Sequence, residues 1–281
     1  MVTRARRFAQ VDVFSITPYL GNPVAVVLEG EGLSEGRMQR IARWTNLSET
    51  TFVFPPTRAD ADYRVRIYTP EAEFSFAGHP TLGTARVWLD SGGTPGTGDC
   101  LVQECEAGLV RVRSEAGLLW FAAPPTIRSG DLDEDYLMRI VTSFGITRDQ
   151  VIAHQWVDNG PGWAVIQLAT AAEVLDLEPD LSLIPDAMVG AIGSYPPGSR
   201  QDYEMRTFAP RVGVAEDPAC GSMYAAVAQW LVRSGAVTSP YRVAQGQRLG
   251  RAGDITIRPD AEGTVWVGGR ATTLFRGTVD A

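Results

Sequence analysis

The feature that most constrains this chain is a faint echo between its two halves. The first half runs Asn22-Pro23, an apolar run Val24–Leu28, a helical stripe of Met38, Ile41, Ala42 and Thr45, then Tyr68-Thr69-Pro70 and Ala77-Gly78-His79, opening a segment that reaches Trp88. The second half runs Asn159-Gly160-Pro161, Trp163–Ile166, Phe208-Ala209-Pro210 and Cys220-Gly221-Ser222, opening a segment that reaches Trp230. Asn22 and Asn159 are 137 positions apart, and Gly78 and Gly221 are 143 apart, each about half of 281 residues. A repeat of that period implies two copies of one supersecondary plan, not one continuous sheet.

Local patterns agree. Leu137, Ile140, Val141 and Phe144 fall at the spacing of an amphipathic helix. Ala226, Val227, Trp230 and Leu231 repeat it, with Gly235 placed to cap the end. That helix carries few charges before Arg233, so it is expected to be buried. After His79, Leu82, Ala85 and Leu89 lead to Gly92-Gly93. Strand-like runs lie between: Thr51–Phe54, Tyr63–Tyr68, Val110–Val112, Leu118–Phe121, Tyr241–Val243, Ile255–Ile257 and Val265–Val267. Many alternate apolar residues with Arg, as a sheet with one wet face does. The expectation is an α+β chain of two similar domains, each a curved, mostly antiparallel sheet around a central helix. Pro124-Pro125 is the linker candidate, which places the domains at residues 1–124 and 125–267, with the tail 268–281 packing back on the first.

Composition removes whole mechanisms. All 25 basic residues are Arg, and there is no Lys. Pyridoxal phosphate and Schiff-base aldolase chemistry need a Lys, as do a Walker A loop and a protein kinase. The net charge of −8 argues against nucleic acid or an anionic membrane as partner. Val24–Leu28 is the longest purely aliphatic run, far short of the ~20 residues of a membrane span. The opening Met1–Phe8 leads into no apolar signal core, so a cytoplasmic chain is expected. Three cysteines, Cys100, Cys105 and Cys220, make no disulfide framework. Only His79 and His154 are available as imidazoles, and nothing has zinc-site spacing; no metal is expected.

Two helices opened by Gly78-His79 and Gly221-Ser222 each present unpartnered N–H groups and a positive dipole end. Facing each other they would hold a carboxylate without Lys; alternatively they are well-capped core helices. Gly32-Leu33-Ser34-Glu35-Gly36 fits a hydrolase GxSxG, but Glu29-Gly30-Glu31 separate it from the strand, and Ser34 suits an N-cap better. His154 would be its only candidate base. Glu49 is either a solvated carboxylate or, if desolvated, one raised toward acid/base range. His79 is a packing residue or a donor, and Glu216-Asp217-Pro218 is turn chemistry or a site. Cys220 is a small buried hydrophobe or an activated thiol at a helix start.

At these residues the sequence resembles the PhzF-like isomerases of phenazine biosynthesis. The resemblance rests on Gly21-Asn22-Pro23-Val24-Ala25-Val26, Asn46-Leu47-Ser48-Glu49-Thr50-Thr51-Phe52-Val53, Phe76-Ala77-Gly78-His79-Pro80 and Glu216-Asp217-Pro218-Ala219-Cys220-Gly221-Ser222. Gln245-Gly246 through Gly250-Arg251, then Arg276-Gly277, continue it, so it spans about Val11 to Val279. It implies the diaminopimelate-epimerase-like fold with the active site in an interdomain cleft, a homodimer and no cofactor. It implies an isomerase that moves a proton and double bond in a small cyclic unsaturated amino or carboxylic acid of bacterial specialised metabolism, such as antibiotic biosynthesis. Dihydro-hydroxyanthranilate-like compounds and substituted-proline precursors are the expected substrates. Glu49, His79 and Asp217 match the catalytic positions. Ser222 and Cys220, with backbone N–H groups at Gly78 and Gly221, match substrate-binding ones. Cys220 stands where phenazine enzymes usually have Thr and where racemase relatives have a catalytic Cys. Their second thiol falls at Ala77, which cannot act. An epimerase or lyase using Cys220 as base, and a binding protein with a dead site, are the alternatives.

Overall fold

A computed structural model describes residues 3–96, 98 and 100–281. It divides into two compact units, residues 1–122 with 268–281, and residues 123–267; the border falls just before Pro124-Pro125. Among the described residues are five α-helices: α1 (Glu35–Thr45), α2 (Gly78–Asp90), α3 (Glu134–Ser143), α4 (Ala171–Leu175) and α5 (Gly221–Arg233). None is long and apolar enough to cross a membrane.

In the first unit the strand Ala5–Val13 pairs antiparallel with both Asn22–Val27 and the tail strand Ala271–Asp280. Asn22–Val27 runs parallel to Glu49–Phe54, and α1 makes the crossover that parallel neighbours require. The sheet continues antiparallel to Tyr63–Tyr68, parallel to Cys100–Cys105, then antiparallel through Gly108–Glu115 and Leu118–Ala122. Helix α2 touches strands at both ends of this series, Ala271–Asp280 and Leu118–Ala122, as well as Ala5–Val13, Asn22–Val27, Glu49–Phe54 and Cys100–Cys105 between them. Only a sheet curled around the helix makes those contacts together. Gly83 is the reason α2 can lie so close: a Cβ there would come within 2.3 Å of Val24.

The second unit repeats the plan. Ala164–Thr170 runs parallel to Val189–Ser194, which pairs antiparallel with Tyr203–Ala209. Tyr203–Ala209 runs parallel to Tyr241–Gln245, and Gly253–Pro259 follows antiparallel. Arg128–Gly130 and Ala153–Asp158 extend the other side. Helix α5 is buried from Gly221 through Ala228, again at Leu231. The α3 residues Leu137, Ile140 and Val141 pack with Val174, Val189 and Phe208 on the opposite face.

The expected strand runs all form, and the α1, α3 and α5 stripes are helices. Gly235 follows α5 at φ +71°, the left-handed conformation that ends a helix. Ser34 does occupy the N-cap of α1, but its side chain makes no capping bond, so it acts only through its extended backbone. The ladder strands Ala5–Val13, Cys100–Cys105, Val189–Ser194 and Tyr203–Ala209 had no alternation to announce them. In Val189–Ser194 and Tyr203–Ala209 burial on both faces erases the polar half of the pattern, and in Ala5–Val13 and Cys100–Cys105 the buried polar residues Arg6 and Gln103 break it.

Candidate active site

The sheet register shows how the two halves place their polar groups. In each unit one strand is flanked along a single edge by two others in series. Tyr63–Tyr68 pairs with Cys100–Cys105 at Tyr63–Gln103 and with the short strand Glu73–Phe74 at Ile67–Phe74. Tyr203–Ala209 pairs with Tyr241–Gln245 at Met205–Gln245 and with Val214–Asp217 at Thr207–Asp217. The chain leaves the short flanking strand to start the central helix, α2 in one unit and α5 in the other. The same step therefore sets Ala77-Gly78-His79 and Cys220-Gly221-Ser222. Ala77 and Cys220 are the N-cap residues of their helices, and neither supplies a side-chain cap. Neither first turn contains an acidic residue. Both are thus left open toward an anion.

In the first unit, Glu49 begins the strand Glu49–Phe54 opposite Val24. It is 6% exposed and His79 is 2% exposed. Their nearest atoms, Glu49 Oε2 and His79 Nε2, are 3.3 Å apart, close enough to interact as charge and dipole but not aligned as a hydrogen bond. Asn22 Nδ2 lies 3.2 Å from His79 Nδ1, and Ser48 Oγ donates to Asn22 Oδ1 at 3.4 Å. The Asn22 amide nitrogen can only donate and the Pro23 carbonyl can only accept, so these two neighbours favour opposite tautomers of the ring. Burial lowers the His79 imidazole to about 3, against a smaller upward pull from the Pro23 backbone. His79 is therefore a neutral donor, not a cation, at any ordinary pH.

In the second unit, Glu216 and Asp217 point to opposite faces of their strand, as neighbours must. Glu216 accepts Arg206 Nε and Nη2 at 2.9 and 2.8 Å, and Arg206 Nη1 donates to the Leu177 carbonyl at 2.6 Å and the Val174 carbonyl at 3.3 Å. That ties the strand to the end of α4. Asp217 turns inward, and its Oδ1 accepts the Ala219 N–H at 3.0 Å. Gln245 Nε2 donates to the Asp217 carbonyl at 2.6 Å. Gly246, at φ +96°, allows the Pro218 carbonyl to pass where a Cβ would be 2.6 Å away. The Gln245-Gly246 pair thus braces the Asp217–Ser222 turn, a role its sequence position did not announce. Cys220 and Ser222 are buried, with Sγ and Oγ 3.6 Å apart. Asn159 Nδ2 donates to the Ser222 carbonyl at 2.9 Å, so in both units the echoed Asn reaches the first turn of the central helix.

The residues picked from sequence thus assemble as two groups, Glu49 with Gly78 and His79 in one unit, and Asp217 with Cys220, Gly221 and Ser222 in the other. Ser34 and His154 join neither. His154 Nδ1 accepts the Leu132 N–H at 3.1 Å and Arg148 Nη2 is 3.4 Å from Nε2, a structural pairing. Cys100, Cys105 and Cys220 form no disulfide. Among the described residues no group of His, Cys, Asp and Glu is arranged to hold a metal ion. Trp163, Asn159 and Arg206 were missed. Only the Asn159 echo carried a signal in sequence, because the partners of the other two are set by strand register.

Residues 11–277 match the family described as phenazine biosynthesis-like protein. The chain belongs to this family. Across 96% of its length, the phenazine biosynthesis-like chain is 37% identical to antisense-enhancing sequence 1 of Schizosaccharomyces pombe, covering 97% of that protein. It is 33% identical to the trans-2,3-dihydro-3-hydroxyanthranilate isomerase of Pseudomonas chlororaphis, over 96% of this chain and 97% of that one. The crystal structure of a phenazine biosynthesis protein PhzF family member from Enterococcus faecalis superposes with a TM-score of 0.80 at 26% identity, covering 99% of this chain and all of that one. The fold is the α+β, epimerase-like one expected from the sequence, and the chain is an isomerase of the PhzF family.

Proposed function

We propose that this isomerase shifts a proton, and with it a double bond, within a small cyclic unsaturated amino or carboxylic acid, without a cofactor. The observation that carries the reading is the buried Glu49 carboxylate 3.3 Å from a His79 kept neutral by burial. An allylic C–H needs a base that removes a proton and returns it at another carbon. One carboxylate does both where water is excluded, and the burial of Glu49 provides that. The electron pair left on the ring delocalises toward a carboxylate or enol oxygen. Neutral His79 and the uncapped first turns of α2 and α5 are donors suited to that charge. Asp217 and Ser222 would orient the polar substituents. We take the working form to be a homodimer, as the family resemblance implies.

The name of the Pseudomonas chlororaphis relative suggests dihydro-hydroxyanthranilate-like substrates. The test is to supply trans-2,3-dihydro-3-hydroxyanthranilate in D₂O and follow it by NMR. Isomerisation with the label at one ring carbon supports the reading. Tight binding with neither isomerisation nor exchange would make the chain a binder. Exchange at the carbon bearing the amino group, abolished by Cys220→Ala and kept by Glu49→Gln, would favour the thiol base. Cys220 sits at the N-cap of α5 with a hydroxyl at 3.6 Å, so that second reading has a base in place, but the N-cap of α2 is Ala77.

A further inference from the structure

Trp163 is a large aromatic residue that the reaction as described does not use. It is 3% exposed, and its Nε1 donates to Ser222 Oγ at 3.0 Å; Ser222 is 5% exposed. Its position is informative. Val189 stands opposite Phe208 as Thr50 stands opposite Tyr68. Met188 therefore takes the place of Glu49, and Trp163, which precedes the strand residue bonded to the Met188 carbonyl, takes the place of Val24. The first unit has an aliphatic side chain there, and the second has an indole reaching the first turn of its central helix.

An indole N–H donates and cannot accept, whereas a hydroxyl has one hydrogen and two lone pairs. The Trp163 contact therefore fixes roles: Ser222 Oγ accepts from Trp163, and its hydrogen is directed elsewhere. Cys220 Sγ, 3.6 Å away, is a neighbour that can accept it, and its thiol can also donate to the second Ser222 lone pair. We propose that Trp163 is a positioning residue that holds the Ser222 hydroxyl as a donor, toward the Cys220 sulfur in the empty site and toward a substrate carboxylate in the loaded one. The loaded half of this assignment rests on the function proposed above; the empty half does not.

A hydrogen bond from Ser222 stabilises the Cys220 thiolate over the thiol. Without the indole N–H, Ser222 can turn and accept from the thiol instead. Cys220 acts on Tyr224, as do Asp217, Glu204 and Asp254. All four are unchanged in the variants below.

The first measurement is the pH dependence of Cys220 alkylation by iodoacetamide, between about pH 6 and 10, followed by mass spectrometry so that Cys100 and Cys105 are counted separately. The midpoint reports the thiol and the plateau reports access, so a cavity at position 163 alters the second without the first. Trp163→Phe should raise the midpoint by about half a unit to one unit, and Ser222→Ala should do the same. The double variant should go no further, and Ser222→Thr should keep the original midpoint. Unmoved midpoints, or additive shifts in the double variant, overturn the assignment. If Trp163→Phe does not fold, the contrast between Ser222→Ala and Ser222→Thr decides it: equal midpoints overturn the assignment.

The second measurement is calorimetric binding of 3-hydroxyanthranilate and of 2-aminophenol, which lacks the carboxylate. Trp163→Phe should weaken the first about three- to tenfold and leave the second unchanged. Equal loss on both would assign Trp163 to packing. If the unaltered protein binds neither compound, the proposed ligand class falls, while the alkylation midpoint still decides what Trp163 does.

Discussion

The two units share a plan and differ in where each keeps a carboxylate. In the first, Glu49 opens the second parallel strand beside the central helix, and Phe74 stands at the end of the short flanking strand. In the second, Met188 takes the Glu49 position and Asp217 the Phe74 position. Each copy thus lacks the acid that the other has. The helix starts differ in the same sense: the first offers a neutral imidazole, and the second a hydroxyl held by an indole. A duplicated scaffold supplies two equivalent helix N-termini, and substitution at four or five register positions makes the pair chemically unequal. The one-carboxylate proton shift proposed above needs that inequality, since two symmetric bases would favour racemisation.

The largest test of the comparison is to neutralise each acid in turn. Glu49→Gln should fold and lose about 10²–10⁴-fold in kcat, the scale of a positioned acid/base. Asp217→Asn should cost about 10–10²-fold, chiefly in KM, because Asp217 holds a turn and, in the function proposed above, orients the substrate. Equal losses in kcat would mean that the proton passes between the two acids, and the division of labour would be wrong.

The next test concerns the brace. Gly246→Ala places a Cβ at φ +96° against the Pro218 carbonyl, and backbone cannot move aside as a side chain can. We expect about 1–3 kcal/mol lost in urea unfolding, with activity lost through the Asp217 turn. Gly83→Ala in the first unit meets side chains and no backbone, Val24 at 2.3 Å with Val13 and Val11 farther off, so it should cost stability more than kcat. Similar kcat losses would deny that the second unit's turn is the more tightly specified.

Cys220→Thr is the smaller change. A hydroxyl can keep a hydrogen bond to Ser222, and the N-cap of α2 is Ala77, so turnover should stay within about tenfold of the original. A folded but inactive Cys220→Thr, beside an active Glu49→Gln, would transfer the chemistry to the thiol.

The smallest effect is in pH. His79 titrates near 6.5 when exposed and at about 3 when folded. Between those values the unfolded chain binds a proton that the folded one refuses. The His79 contribution is therefore complete above pH 6.5 and declines as pH falls toward 3. Glu204 in the second unit is the opposite case. Burial raises it from 4.5 to about 7, against hydrogen bonds from Tyr195 and Gln247. Its contribution is complete below pH 4.5 and declines as pH rises to 7. Urea midpoints across this range should lose their acid limb in His79→Gln and their rise-with-acid limb in Glu204→Gln. A single variant that flattens both limbs would break the contrast.

Much of this protein was legible without a structure. Periodicity marked α1, α3 and α5, and the half-chain echo marked the duplication, because helix faces and glycine turns are local in origin. The absence of Lys excluded whole cofactor chemistries outright. Motif strings singled out Glu49, His79, Asp217, Cys220 and Ser222. What they could not show is that Glu216, next to Asp217, is an anchor for Arg206, since alternation in a strand sends neighbours to opposite faces. Nor could they pair Trp163 with Ser222 or Gln245 with the Asp217 carbonyl, residues 59 and 28 positions apart. Such contacts are fixed by sheet register and by how closely a buried helix approaches its strands. Those are properties of the assembled sheet, and only tertiary structure decides them.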